Sequence, residues 1–375
     1  MREKPNVVLL GMRGGTAYAV LQALHAMGAR VQLICDRRSS MRLSRLCELL
    51  YVSKDLSSEP AGHILEIIND RHRHQRVDLV VASDVEGTML LNGIRDGLTS
   101  PVFPAADNAT LTLLDNKWSF HHLCAAVGIC TPDSIFFESK ERMDVGRIEG
   151  ELGYPVVVKP VNMSGGDGVI VADSPDAVST HVLLNPRYGY GKSGLIVQHY
   201  VRGQDWGYSA FAVDGRIEVA LTFACGSNWR TEFCQNPGLL NAGRRIIEHV
   251  RYTGVVNFDC RLDDETKTFK FLECNPRFFR RVTAARLCGF NFVKAGICDE
   301  KRLPRDVCYL PIRDVFTREG AKFLAQGRWP LSVLAADVME TLSDPIPAVV
   351  QKGAWTRAAL IAISPLLQRG SLARL

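Results

Sequence analysis

Residues 254–279, GVVNFDCRLDDETKTFKFLECNPRFF, hold two strand-like apolar runs joined by the turn-like DDETK. Period-two alternation along FKFLECN puts Glu273 and Asn275 on one face and Leu272 and Cys274 on the other. A turn centred near Thr266 sets Asp259 opposite Glu273, so the three oxygen donors Asp259, Glu273 and Asn275 are expected to converge on one spot. Carboxylates with a carboxamide are the hard ligands magnesium takes, and its other octahedral positions go to water and phosphate oxygens. Arg277, two residues on, carries a planar fork suited to a phosphoryl oxygen or a carboxylate. Solvated cross-strand acids are the competing reading, but it explains poorly why the acids share a strand with Phe271 and Leu272.

Working outward, residues 154–174, YPVVVKPVNMSGGDGVIVADS, give a second hairpin. Two β-branched runs flank Ser164, Gly165, Gly166, Asp167 and Gly168, a tip too glycine-rich to be stiff. Backbone N–H groups of that kind close over a polyphosphate and shield a transferred group from water. Lys159, on the preceding strand, is placed to pair with phosphates. Taken alone, this segment is equally a structural hairpin with a solvated lysine.

The rest of the chain frames these hairpins. The chain has 375 residues, 46% hydrophobic and 23% charged, which fits a folded chain of two or three domains and excludes a disordered or collagenous one. Over the first hundred residues, Val7–Leu10, 16–27, Val31–Ile34 and DLVVA (78–82) alternate strand and helix signals, as in a parallel sheet flanked by helices. In GMRGGTAYAV the glycines are Gly11, Gly14 and Gly15, with Asp36 closing the next strand. This is not the dinucleotide spacing GxGxxG, so a nicotinamide-dependent oxidoreductase is not supported. Asp84 is read as a helix cap at least as readily as a substrate contact. From about Asn108 the character changes: 115–127 reads as a helix, followed by GYPVVVKPV, GVIVAD, GLIVQHYV, GYSAFAV and EVALTFA as strands, and after Asn291 the chain turns helical. Eleven cysteines, dispersed and without CxxC spacing, read as reduced core thiols. The N-terminal MREKPNVVLL lacks a signal-peptide pattern and no apolar run is long enough to span a bilayer, so a cytoplasmic protein is expected.

In this order and spacing, DNKW (115–118), YPVVVKP, SGGDGV, LIVQHYVRGQD (195–205), GVVNFD and FLECNPR resemble the ATP-grasp superfamily. Its carboxylate-amine ligase-like members include biotin carboxylase, carbamoyl phosphate synthetase and the D-alanine ligases. The resemblance implies mixed α/β and α+β architecture. A Rossmann-like pre-ATP-grasp domain would occupy 1–107 and the ATP-grasp domain 108–300, with subdomains 118–200 and 201–300; 301–375 would form a basic helical C-terminal extension. It implies that Lys117 and Lys159 contact the ATP phosphates and that Ser164, Gly165, Gly166 and Gly168 belong to the phosphate loop. Gln198, with the His199 carbonyl and the Val201 N–H, would serve adenine, and Asp205 the ribose hydroxyls. Asp259, Glu273 and Asn275 would hold two magnesium ions, with manganese a substitute, and Arg277 would sit near the γ-phosphate, making Lys159 and Arg277 the catalytic pair. The chain departs from the family in having Asp at 259, where Glu or Gln is commoner, and Phe278, Phe279, Arg280 and Arg281 where small residues are frequent.

The function so implied is ATP-dependent ligation of a carboxylate to an amine or similar nucleophile through an acyl phosphate, releasing ADP and phosphate. The alternative is a catalytically silent ATP-binding regulator on the same fold. Arg230, Arg244, Arg245, Arg280, Arg281 and Arg286 are the candidates for selecting the carboxylate, while His121, His122 and the run RHRHQR (71–76) read as solvated faces. Partners are small molecules, with a homodimer left open. Residues 1–300 carry 34 basic and 34 acidic side chains, against 11 and 6 in 301–375, so the net charge of +5 sits in the last fifth. A neutral body gives no electrostatic case for nucleic acid. The last stretch, WTRAALIAISPLLQRGSLARL (355–375), is expected to pack on the body or a second subunit in preference to a membrane surface.

Overall fold

The computed structural model describes residues 4–347 except 13, 164–165, 167, 187, 189–193, 227–229, 298–306 and 311–316. Its first sheet is parallel, in the order β3-β2-β1-β4, from β1 (Asn6–Gly11), β2 (Arg30–Asp36), β3 (Cys47–Ser53) and β4 (Leu79–Ala82). Val7 and Leu9 face one core while Val8 and Leu10 face another, so helices cover both sides, as a parallel sheet requires. Asp84 caps the Val85–Ile94 helix by accepting from Gly87 N at 2.9 Å, and it also accepts from Met12 N and Ser83 Oγ. Those bonds make it a structural acid. Asp36 likewise holds the chain, accepting from Leu56 N at 3.0 Å.

The helix expected over 115–127 runs over Lys117–Ala126, and a separate helix, Asn108–Asp115, precedes it. Asn116 breaks them because its side chain accepts from Trp118 N and Ser119 N, an N-cap that makes Lys117 the first helical residue. An antiparallel sheet of order β5-β8-β6-β7 follows, built from β5 (Ser134–Phe137), β6 (Val156–Pro160), β7 (Ile170–Ala172) and β8 (Leu195–His199). Its β6–β7 pair is the expected glycine hairpin. The largest sheet runs β13-β12-β9-β10-β11-β14, from β9 (Gly203–Val213), β10 (Arg216–Cys225), β11 (Thr231–Phe233), β12 (Gly254–Asp263), β13 (Phe269–Asn275) and β14 (Val307–Tyr309). Phe120, Tyr208, Phe258 and Phe271 pack beneath its β12–β13 hairpin, each fully buried Phe contributing roughly 1.5–3 kcal/mol. Phe211, Phe223 and Phe279 share a core with Leu9 of the first sheet and with Leu21 of the Gly14–Ala26 helix, so the first and largest sheets border one core.

The region after residue 300 is not wholly helical. β14 pairs with β11 at the sheet edge before the Arg318–Ala325 and Leu331–Ser343 helices. These helices dock on the body: Arg286 bonds Glu340, Ser44 Oγ donates to Asp344 Oδ2 at 2.6 Å, and Trp329 is buried. Residues 355–375, and with them the packing expected for the tail, lie outside the described residues. Among the described residues, ten cysteines form no disulfide and no helix is long and apolar enough to cross a membrane.

Candidate nucleotide and metal site

The β12–β13 hairpin brings Asp259 directly opposite Glu273 and Asn257 opposite Asn275. A bulge makes this register. Nearer the turn Cys260 faces Phe271, so Leu272 is the extra residue; without it Asp259 would oppose Leu272. The bulge corrects the simple alternation expected for β13. It is Phe271, not Leu272, that joins Cys274 in the core.

Around the acids the polar partners are dense. Asn257 Nδ2 and Asn275 Nδ2 each donate to the Asp259 carboxylate at 3.0 Å, and Ser209 Oγ donates to Asn257 Oδ1 at 2.8 Å. Lys117 Nζ stands 3.3 Å from Glu273 Oε2 and also donates to the Met163 carbonyl. Lys117 and Lys159 are both buried, Lys159 on the face of β6 opposite Val156 and Val158, which line the four-stranded sheet's own core. Burial lowers the Lys159 pKa to about 8, against the raising effect of the Glu273 and Asp259 charges. For Asp259, burial first and then the facing Glu273 push the pKa up to about 7. Burial also works to raise Glu273, but the Lys117 and Lys159 charges outweigh it and hold the group below its ordinary value.

Two opposed, half-buried carboxylates need either a shared proton or a cation. Two carboxylates with the Asn275 oxygen are a hard donor set, and they fit magnesium. That oxygen accepts from Arg277 Nη2 at 2.7 Å and keeps a second lone pair for a cation. Among the described residues no cluster of three His, Cys, Asp or Glu offers a rival metal site.

The other expected residues are distributed as follows. Gly166 and Gly168 stand at the β6–β7 tip with φ of +84° and +72°, a conformation that favours glycine, whereas Ser164 and Gly165 lie outside the described residues. Tyr188 Oη donates to the Gly168 carbonyl at 2.7 Å. Gln198 is buried and donates to Ser134 Oγ at 3.0 Å, a bond to the neighbouring strand. His199 turns its imidazole to the Leu152 carbonyl, 3.1 Å from Nδ1, which leaves its backbone as the part suited to a base edge. Val201 lies between β8 and β9, where its carbonyl accepts from Arg261 Nη1 at 3.1 Å. Asp205 is already ion-paired, with Arg261 Nε at 2.6 Å.

Four of the arginine candidates are committed elsewhere. Arg286 bonds Glu340, Arg244 bonds Glu248, Arg245 bonds the Val127 carbonyl and Arg230 bonds Glu319. Arg281 lies by the site: its Nε donates to Thr231 Oγ1 at 3.2 Å, its guanidinium covers the Phe223 ring at 5.8 Å, and its charge is felt at Asp259. His121 is not simply solvated. It is half-buried, stacked on Trp118 at 3° and bonded to Thr131 Oγ1 at 2.9 Å. Sequence reading missed Asn257 and Arg261, which alternate with Asp259 along β12 and which the same period-two rule would have found.

Residues 192–309 match the family model described as "ATP-grasp in the biosynthetic pathway with Ter operon". The formate-dependent phosphoribosylglycinamide formyltransferase of Cupriavidus taiwanensis is 26% identical over 222 residues, 53% of this chain and 53% of that protein. The D-aspartate ligase of Enterococcus faecium is 24% identical over 52% of this chain and 51% of its own length. The chain thus spans about half the length of the curated relatives it matches. Among solved structures, an L-amino acid ligase from Bacillus licheniformis aligns with a TM-score of 0.58 at 14% identity, over 79% of this chain and 74% of that one. A biotin carboxylase from Campylobacter jejuni also aligns at 0.58, with 13% identity over 80% and 72%. A parallel N-terminal sheet, two antiparallel sheets and the ordered motifs on their strands give the chain the ATP-grasp fold.

Proposed function

We propose that the chain is an ATP-dependent ligase that activates a carboxylate as an acyl phosphate and joins it to an amine or similar nucleophile, releasing ADP and phosphate. The observation that carries this reading is the opposition of Asp259 and Glu273 beside two buried lysines, Lys117 and Lys159. A carboxylate oxygen attacks the γ-phosphorus and the bond from that phosphorus to the β–γ bridging oxygen breaks, so ADP leaves. The amine nitrogen then attacks the acyl carbon, the carbon–oxygen bond to phosphate breaks, and the amine gives up a proton. The first step brings anions together, so positive charge at the meeting point lowers its barrier. Lys117 and Lys159 bind the phosphates, with Lys159 predominantly protonated at neutral pH because its pKa is about 8. Arg277 orients Asn275 and faces the γ-phosphate, while Arg281 orients the incoming carboxylate. Asp259, Glu273 and Asn275 would hold magnesium, which supplies charge neutralisation on the phosphoryl oxygens when bound.

In this reading 1–107 is the pre-ATP-grasp domain, 118–200 and 201–300 grip the nucleotide, and 301–375 is an extension, consistent with three separate sheets. The relatives' names carry formate and D-aspartate, so a carboxylate pool for the test includes formate and amino acids. Phosphate release from Mg·ATP is measured with carboxylate and amine pools, nucleotide products are separated by chromatography and the ligated product is weighed by mass spectrometry. ADP and a condensed product are expected. AMP in place of ADP would overturn the mechanism, and nucleotide that binds but never turns over with any pool would favour a silent ATP-binding protein.

A further inference from the structure

Arg261 is assigned no role by any motif in the sequence, yet it joins three parts of the cleft. It lies on β12 two residues beyond Asp259 and on the same side, because Cys260 between them is buried in the core. From there its Nε donates to Asp205 Oδ1 at 2.6 Å, its Nη1 donates to the Val201 carbonyl at 3.1 Å, and its guanidinium covers the Tyr200 ring at 5.5 Å. Asp205 is its direct cross-strand partner on β9. Val201 and Tyr200 belong to the crossing between β8 and β9, where the chain passes from the four-stranded sheet to the six-stranded one.

The exposures decide what this pair does. An ordinary surface ion pair leaves both partners in water, but here the Arg261 side chain is 21% exposed and that of Asp205 is 52% exposed. The arginine is the seated member and the carboxylate is the presented one. A clamp on Oδ1 stops the carboxylate from rotating and leaves its second oxygen to accept from a hydroxyl. The fork, the carbonyl contact and the ring contact together need a planar guanidinium, since an ammonium makes one such contact well but not three.

We propose that Arg261 is the positioning residue of the nucleoside pocket, holding Asp205 and the Val201 crossing so that a nucleoside triphosphate with an intact 2′-hydroxyl is selected. The inference rests on the nucleotide reading above and adds the residue that sets its sugar preference. Arg261 touches no reacting atom and acts through Asp205.

The test measures binding of Mg·ATP, Mg·2′-deoxy-ATP and inorganic tripolyphosphate to the full chain by calorimetry, for the native protein and for Arg261→Met, Arg261→Lys, Asp205→Asn and the double variant Arg261→Met/Asp205→Asn. The native chain is expected to prefer ATP over its 2′-deoxy form. Arg261→Met should weaken ATP about tenfold, the loss expected for a hydrogen bond to a charged group, and bring the two nucleotides to near-equal affinity while leaving tripolyphosphate unchanged. Pairing it with Asp205→Asn should add little further loss, since the two residues act as one unit. A merely structural role would shift melting temperature and weaken all three ligands together. Arg261→Lys keeps the charge and decides the matter if Arg261→Met does not fold: it too should lose the 2′ preference. Retention of that preference by folded Arg261 variants overturns this inference alone. A native chain without affinity for ATP overturns the nucleotide reading and this inference with it.

Discussion

Replacing Asp259 with Asn separates what the hairpin needs for stability from what it needs for chemistry. Burial and the Glu273 charge raise the Asp259 pKa from 3.8 to about 7. A carboxyl whose folded-state pKa lies above its unfolded value favours the folded state most when protonated. Its contribution is therefore present at low pH, lost as pH rises from about 4 to about 7, and unfavourable above that. At about 1.4 kcal/mol per pH unit, keeping Asp259 ionised at pH 8 costs the metal-free fold roughly 4 kcal/mol. Asn removes that titration, but it has one oxygen for two donors, Asn257 Nδ2 and Asn275 Nδ2, and sets an N–H against one of them. The mismatch returns about 1–2 kcal/mol. Metal-free Asp259→Asn should then be about 2–3 kcal/mol more stable than the native chain at pH 8. Near pH 4 the order should reverse by the same 1–2 kcal/mol mismatch. Urea unfolding in EDTA from pH 4 to 8 measures both numbers. Mg-dependent ATP turnover by the variant should fall to background, since a carboxamide is a poor substitute for an anionic ligand. A variant less stable than native at pH 8, or a stability gap that does not change with pH, would refute the placement of an opposed carboxylate pair here.

Glu273→Ala should abolish Mg-dependent nucleotide turnover in a chain that still folds, as judged by circular dichroism. It removes the anion 3.3 Å from Lys117, and retained turnover would remove Glu273 from the site. Tyr188→Phe loses only the bond to the Gly168 carbonyl, about 1 kcal/mol. It should lower the melting temperature by about 2–4 °C and raise KM for ATP, and an unchanged KM would separate Gly168 from the nucleotide. Arg286→Met breaks the fork on Glu340, whose side chain is 29% exposed against 7% for Arg286. That partial exposure puts the loss at about 2–3 kcal/mol, below the 3–5 of a fully buried pair, and an unshifted urea midpoint would show that the Leu331–Ser343 helix is held by other contacts.

What could be read in the sequence was what depends on neighbours in the chain. The β6–β7 and β12–β13 hairpins are local, so alternation and turn composition give their pairing, and Asp259 opposite Glu273 follows. The bulge at Leu272 was hidden because two errors of one residue, in the turn and in the ladder, cancel. Short or edge strands were missed: Cys47–Ser53 has partly exposed leucines on both faces, and Val307–Tyr309 is three residues long. The Arg261–Asp205 clamp joins residues 56 apart and needs the sheet order to be seen. Charge is the clearest case. By sequence, residues 301–375 are simply basic, 11 against 6. In the fold, the acids of 317–344 are partnered: Glu319 meets Arg230, Asp337 meets Tyr309, Glu340 meets Arg286 and Asp344 meets Ser44 and Arg45. Arg318 and Lys322 remain exposed. Between 317 and 344 the described residues hold four acids against three bases, Arg318, Lys322 and Arg328, so the acids serve the docking of the last two helices and the surplus positive charge of 301–375 belongs to residues outside the described ones.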